Sequence, residues 1–303
     1  MTSHYTLPLL SLSLLFAVSV LFVGRGQGIR CLAILVWVPL LLFGAGWLVT
    51  VGRFPLLPVV LAAGLLAAVF QTLLLLGGGA SARRAIMGAC GGYLVAVIVG
   101  LIGLYVFRLT GIYSAVMRDL WYAPGTGNLP FHWLALGGIA MAGAGLIADL
   151  AVAVAATIEE VRRTDPSAPP SALLAAGLRF GRDVIGTEVN TLPLAIVGTS
   201  MGGILLLLVQ PDVARWPYSW MILSNRQETA VEILALATGT IALVLTIPLT
   251  AYFVSRGASP RATPAGVAKA RTPARAWPYA LLLPLKALVA VACYGLGRTS
   301  YRY

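Results

Sequence analysis

Hydrophobic runs close to 20 residues long follow one another along almost the whole chain, and no other feature limits its possible folds as strongly. A helix needs that length to cross ~30 Å of hydrocarbon. Only a helix or a closed barrel can satisfy its backbone there. The runs are continuous in Leu, Val and Ala and do not alternate with polar residues, which selects helices over barrel strands. Apolar residues make up 59% of the chain and charged residues 10%, against about 25% charged in a soluble domain. The expectation is an all-α, polytopic transmembrane helix bundle.

Seven spans are read at 6–23, 31–51, 56–77, 86–107, 131–158, 188–210 and 229–254. An eighth is read at 277–296, although Pro284 and Lys286 interrupt it, and an amphipathic helix resting on the bilayer is the competing reading of that run. The first run is read as a retained span and not a signal peptide, because Met1 to Thr6 contains no Lys or Arg. Residues 1–254 are thus expected to form the bundle, 255–276 a basic cytoplasmic linker rich in Ala, Pro, Gly, Arg and Thr, and 277–303 a C-terminal hydrophobic segment.

The net charge of +11 is spread over short links between apolar runs, so it points to membrane topology and not to nucleic acid. Arg25, Arg30, Arg83, Arg84, Arg162, Arg163, Arg179, Arg182, Arg256, Arg261, Lys269, Arg271 and Arg275 fall in one class of link; Arg53, Arg108, Arg118, Arg215 and Arg226 fall in the other. The richer class is cytoplasmic by the positive-inside rule. That puts the N-terminus outside and loops 24–30, 78–85, 159–187 and 255–276 inside a plasma membrane. Cys31, Cys90 and Cys293 lie far apart in apolar runs and suggest neither a disulfide framework nor a metal site. His4 and His132 form no HExxH pattern, and Gly198-Thr-Ser200-Met-Gly, although spaced as G-x-S-x-G, lies in an apolar run with no candidate base for Ser200 nearby. No catalytic residue, metal or cofactor is expected, and the chain is read as no enzyme. Small residues in two spans (Gly88, Gly91, Gly92, Gly100 and Gly103; Gly137, Gly138, Ala142, Gly143, Gly145 and Ala148) are read as helix-packing positions.

One acidic residue stands apart. Asp149 lies deep in the fifth run, while the other nine carboxylates sit near span ends or in loops. A carboxylate in hydrocarbon should face the bundle interior, find a partner or hold a proton. Desolvation favours the neutral form of such a group. The helical period places Ala153, Ala156, Glu160 and Arg163 on the same face, a stripe leading toward the cytoplasm. After Pro169 and Pro170, Ser171 to Val184 reads as an amphipathic helix with Arg179, Arg182 and Asp183 on its polar side. Asp183, Thr187, Asn190, Thr191 and Leu194 then share a face at spacings of three and four. That face is expected to meet the Asp149 helix. The expected relay is Asp149, Glu160, Asp183, Thr187, Asn190 and Thr191, with hydrogen bonding between helices as the plainer alternative for the same residues.

These residues resemble the YibE/F-like membrane protein family over about 85–254. The likeness is carried by Gly145-Leu-Ile-Ala-Asp149-Leu-Ala-Val-Ala-Val, Ile158-Glu159-Glu160, Gly177, Gly181-Arg-Asp-Val-Ile-Gly-Thr187, Val189-Asn190-Thr191-Leu192 and Ala195-Ile-Val-Gly198-Thr-Ser200. It continues through Glu228, Glu232-Ile-Leu and Gly239 to Thr250. Ala148, Ile196 and Glu188 depart from it: some members carry a second Asp, many a Tyr and many an apolar residue at those places. The family implies no defined biochemical activity. A fold-level resemblance also links spans 31–254 to one half of a SecDF or RND-type transport module, which implies proton coupling at Asp149 and a pathway completed by another half. The expected function is a permease or proton-coupled translocation component. The alternative is a non-transporting scaffold that binds a partner through 159–187. Expected partners are the lipid bilayer and either a second copy of the chain or another membrane or periplasmic protein.

Overall fold

The computed structural model describes residues 6–51, 54–77, 79–123, 129–209 and 227–257, and all regular structure among them is α-helical. The described helices are α1 (Thr6–Thr50), α2 (Leu56–Leu76), α3 (Ala80–Val106), α4 (Ala115–Tyr122), α5 (Phe131–Thr164), α6 (Pro170–Val209) and α7 (Gln227–Arg256). Five of them, α1, α2, α3, α5 and α7, are long and apolar enough to cross a membrane. This is a coarser result than seven spans plus an eighth. The runs at 6–23 and 31–51 lie together in α1, and 188–210 overlaps the distal part of α6. The run at 277–296 lies outside the described residues, as does the linker beyond Gly257. By contact the chain separates into Met1–Pro260 and Arg261–Tyr303; only the first unit is described here.

Helix α1 is not a straight rod. Arg25 has φ 47° and ψ −126°, a backbone region that an L-residue rarely enters, and it is flanked by Gly24 and Gly26. A Cβ on Gly28 would collide with the Val20 carbonyl. Residues eight apart in an unbroken helix are separated by about 12 Å, so the chain doubles back at Arg25. The returning half runs antiparallel to α2: Gln27 Nε2 donates to the Leu75 carbonyl at 3.2 Å, and the Trp37 and Phe70 rings stand 4.5 Å apart.

The core is built by α3, α5 and α7. Glycines on α3 receive side chains from α7 in antiparallel order: a Cβ at Gly88 would strike Thr250, one at Gly92 would strike Thr246, and one at Gly103 would strike Leu234. From α5, Ile147, Ala151, Val154, Ala155 and Ile158 are fully buried in the same core. Lipid is as apolar as these side chains, so close dispersion packing, and not exclusion from water, holds such helices together. Helix α2 closes on this core through Tyr93, whose hydroxyl donates to the Leu61 carbonyl at 3.1 Å and whose ring fills the space a side chain at Gly64 would need.

The segment 171–184 is not a separate surface helix. It forms the opening turns of α6, a continuous helix of 40 residues. Leu173 is fully buried with Ile158 and Val254, Gly177 meets Ile158 and Ala251, and Gly181 meets Ile247.

Contacts between helix ends sort the charges. At one end Gln27 lies at the C-terminal turn of α2, Arg84 crowds Gly257, and Arg162 reaches the Val254 carbonyl. Arg25, Arg83, Arg84, Arg162, Arg163 and Arg256 therefore share that end. At the other end, Thr110 donates to Gln227 at 2.7 Å, and Arg118 faces Glu228 at 3.9 Å. Between them Ser114 caps α4, its hydroxyl accepting from the Met117 amide at 3.2 Å.

Candidate functional site

Asp149 does not point into the bundle core. Its neighbours Ala148, Leu150 and Ala151 are buried, while Asp149 itself is exposed on the opposite face of α5. That face is made of small side chains: Gly138, Ala142, Gly145, Asp149, Ala156 and Glu160 are all exposed, with Ala153 half-buried between them. Helices α2 and α6 both pack against α5, and each carries one polar side chain that acts on Asp149. From α2, Gln71 Nε2 donates to Asp149 Oδ1 at 2.6 Å. From α6, the half-buried Glu188 lies close enough for its charge to act on that of Asp149. Asp149 is thus accessible in area yet crowded by its surroundings, the condition of a group in a groove.

Chemically this is an amide donor, an accessible carboxylate and a second carboxylate within electrostatic range. Two like charges in a medium of low dielectric disfavour simultaneous ionisation. A donor aimed at one of them favours its charged form. The arrangement is suited to holding one negative charge and exchanging one proton or cation.

The expected relay is brought together only in part. Glu160 lies on the Asp149 face, as the period required, and is exposed beside Arg163 at 4.0 Å. Asp183, Thr187, Asn190 and Thr191 are exposed on the outward side of α6 and do not meet α5. Their hydrogen bonds are local: Thr187 donates to the Val184 carbonyl at 2.8 Å, Asn190 to that of Gly186 at 2.7 Å, and Thr191 to that of Thr187 at 2.8 Å. The face that approaches α5 carries Leu173, Gly177, Gly181, Val184 and Glu188. Glycine won over polarity because Gly177 and Gly181 admit Ile158 and Ile247. Side chains at Ile196 and Ser200 lie outside the described residues.

Sequence reasoning missed both partners of Asp149. Gln71 had a signal, as the lone amide in an otherwise apolar run. Glu188 had one too, as a charge where the family resemblance predicts an apolar residue. A third group was also missed. Arg162 pairs with Glu159 at 3.1 Å and donates from its second terminal nitrogen to the Val254 carbonyl at 3.0 Å. It thereby satisfies a carbonyl in the last turn of α7 and places a cation at the negative end of that helix.

At the opposite end, Thr110, Ile112, Tyr113, Arg118, Gln227 and Glu228 line an open cleft of about 340 Å³. Arg118 and Glu228 are both well exposed there, so their attraction is weak. Tyr113, in the loop before α4, has its phenol pKa raised by burial.

No curated protein and no solved structure matches the chain. The YibE/F-like protein family profile matches residues 12–259, which takes in the α1 hairpin and α2 as well as the 85–254 stretch that carries the sequence likeness. The chain belongs to the YibE/F-like protein family.

Proposed function

We propose that this family member is a proton-coupled translocation component or permease of the plasma membrane, and not an enzyme, with Asp149 as the group that gains and loses the proton. The observation that carries this reading is the Gln71–Asp149 hydrogen bond in the α5 groove, with Glu188 acting from the facing wall. The relay narrows to Asp149, Gln71 and Glu188. Glu160 stands at the far end of the same face, eleven residues or roughly 16 Å along the helix.

The proposed topology has seven spans, counting the two arms of α1 and the distal part of α6, with 277–296 as an eighth. The end that gathers Arg25, Arg83, Arg84, Arg162, Arg163 and Arg256 is assigned to the cytoplasm and the N-terminus to the outside. The scaffold alternative through 159–187 draws support from the exposed Arg179 and Arg182, although Leu173, Gly177 and Gly181 of that segment are committed to the bundle.

Carbodiimides attack protonated carboxyls in apolar settings, so labelling of Asp149 in native membranes tests the reading. Labelling should increase as pH falls, be found on the Asp149 peptide by mass spectrometry, and vanish in Asp149→Asn. An Asp149 that fails to react at every pH would overturn the proposal and leave the scaffold reading, for which Arg179 and Arg182 substitutions, and not Asp149→Asn, would abolish partner capture.

A further inference from the structure

Asn190 stands on the outer surface of α6 deep within the apolar zone. Its depth follows from α5, where Asp149 lies thirteen residues, or about 20 Å, from Arg162 at the charged end. Glu188 is within electrostatic range of Asp149, and Asn190 is half a turn beyond Glu188. One N–H of the Asn190 amide goes to the Gly186 carbonyl. Its other N–H and its Oδ1 have no partner among the described residues. Lipid chains offer neither a donor nor an acceptor, and an unmatched amide in such a medium is costly.

The amide sits on a continuous ridge. Asp183, Gly186, Asn190, Leu194 and Gly198 follow at one-turn intervals and all are exposed. The space beyond Gly186 and Gly198 is empty to 4 Å. Glycines that pack against nothing among the described residues, bracketing an amide with open valences, form the surface that membrane helices use to approach each other closely.

We propose that this ridge binds a second copy of the chain, α6 against α6 about a two-fold axis. An amide is its own complement: Oδ1 of one Asn190 accepts the free N–H of the other. A two-fold axis brings the same residue of both copies together. About two turns toward the charged end, the ridge is self-complementary in charge as well. Asp183 forms no ion pair among the described residues, and Arg179 and Arg182 are exposed beside it, so the carboxylate of each copy can meet the guanidinium groups of the other. Gly186 and Gly198 stand twelve residues apart on this row, one toward each side of Asn190, so small residues flank the amide along the contact. This interface does not depend on the proton-carrying role of Asp149.

The test is cysteine cross-linking in native membranes, in a background where Cys31, Cys90 and Cys293 are Ser. Gly186→Cys, Asn190→Cys and Leu194→Cys should each oxidise to a disulfide dimer of the full chain. Leu94→Cys, 59% exposed on α3, should stay monomeric. In the otherwise native chain reconstituted in liposomes, Asn190→Leu should raise the dimer dissociation constant roughly tenfold, read by energy transfer between labelled copies. Ridge cysteines that remain monomeric, or that link no better than Leu94→Cys, would overturn the proposal. So would links only to another protein, or, with native Cys293 restored, links to that residue within one chain. Because the cross-links report on lightly altered ridges, a folding defect in Asn190→Leu does not remove the test.

Discussion

Helix α5 has two faces built from the same kinds of residue, with opposite fates. On one, Ala140, Ala144, Ala151 and Ala155 are sealed against the glycine-lined α3 and the threonines of α7. On the other, Gly138, Ala142, Gly145 and Ala156 stay open around Asp149. Small side chains permit close approach but do not compel it. What separates the faces is the facing helix: α7 brings branched side chains that fill α3 glycines, whereas α2 and α6 reach across the open face with Gln71 and Glu188. The sealed face gives rigidity, and the open face leaves room around the Asp149 carboxylate.

The contrast can be broken most severely from the sealed side. Gly88→Leu would drive a branched side chain into Thr250, whose backbone already lies against the glycine. Overpacking there should cost about 3 kcal/mol or more and appear as loss of monodisperse protein after detergent extraction. Arg162→Ala comes next. It removes the bond to the Val254 carbonyl and strands the half-buried Glu159, for a loss of about 2 kcal/mol in detergent unfolding.

On the open side, effects should fall on chemistry more than on stability. Gln71→Leu deletes the donor that favours ionised Asp149, so carbodiimide labelling of Asp149 should increase while extraction yield is unchanged. A smaller effect is expected at the α5–α6 turn. The Ser167 hydroxyl and amide both donate to Asp165 and lower its carboxyl pKa. A carboxyl pKa depressed by folding contributes stability above its unfolded value and loses it as pH falls through the folded one. Acid below the ordinary carboxylate range should therefore lower the protection of the Ser167 amide, relative to its intrinsic exchange at that pH, without releasing the bundle, whereas mild acid should leave it unchanged. Smallest of all, the Cβ of Gly145→Ala meets no atom of the described residues within 4 Å, and the substitution should change stability by no more than about 0.5 kcal/mol. A large loss there would mean the open face is closed by something outside the described residues.

Much of this was legible in the residues. Hydrophobic length and the lack of alternation give an all-helical membrane chain, the α3 glycines give packing positions, and Asp149 announces itself by its isolation. The α5 period also put Glu160 and Arg163 on the Asp149 face. Legibility failed where a choice between faces depended on a neighbouring helix. On α6 the two candidate faces are one polar row (Asp183, Thr187, Asn190, Thr191) and one row with glycines (Gly177, Gly181). Matching polar to polar picked the first. Packing in an apolar medium favoured the second, because Thr and Asn can satisfy themselves on their own helix while Ile158 and Ile247 gain contact only at a glycine. The doubling back at Arg25 inside α1, and the bond from Gln71 to a residue 78 positions away, were out of reach for the same reason.

The Arg162 contact also bears on how the protein is made. Its acceptor at Val254 is 92 residues downstream, so α5 leaves the ribosome long before the carbonyl that Arg162 will hold exists. Until α7 has been synthesised, Arg162 remains tied only to Glu159 one turn away, and the α3 glycines await the threonines they will receive. The described bundle is therefore finished from α7, and a chain interrupted before Val254 would leave its latch open and its central seam unfilled.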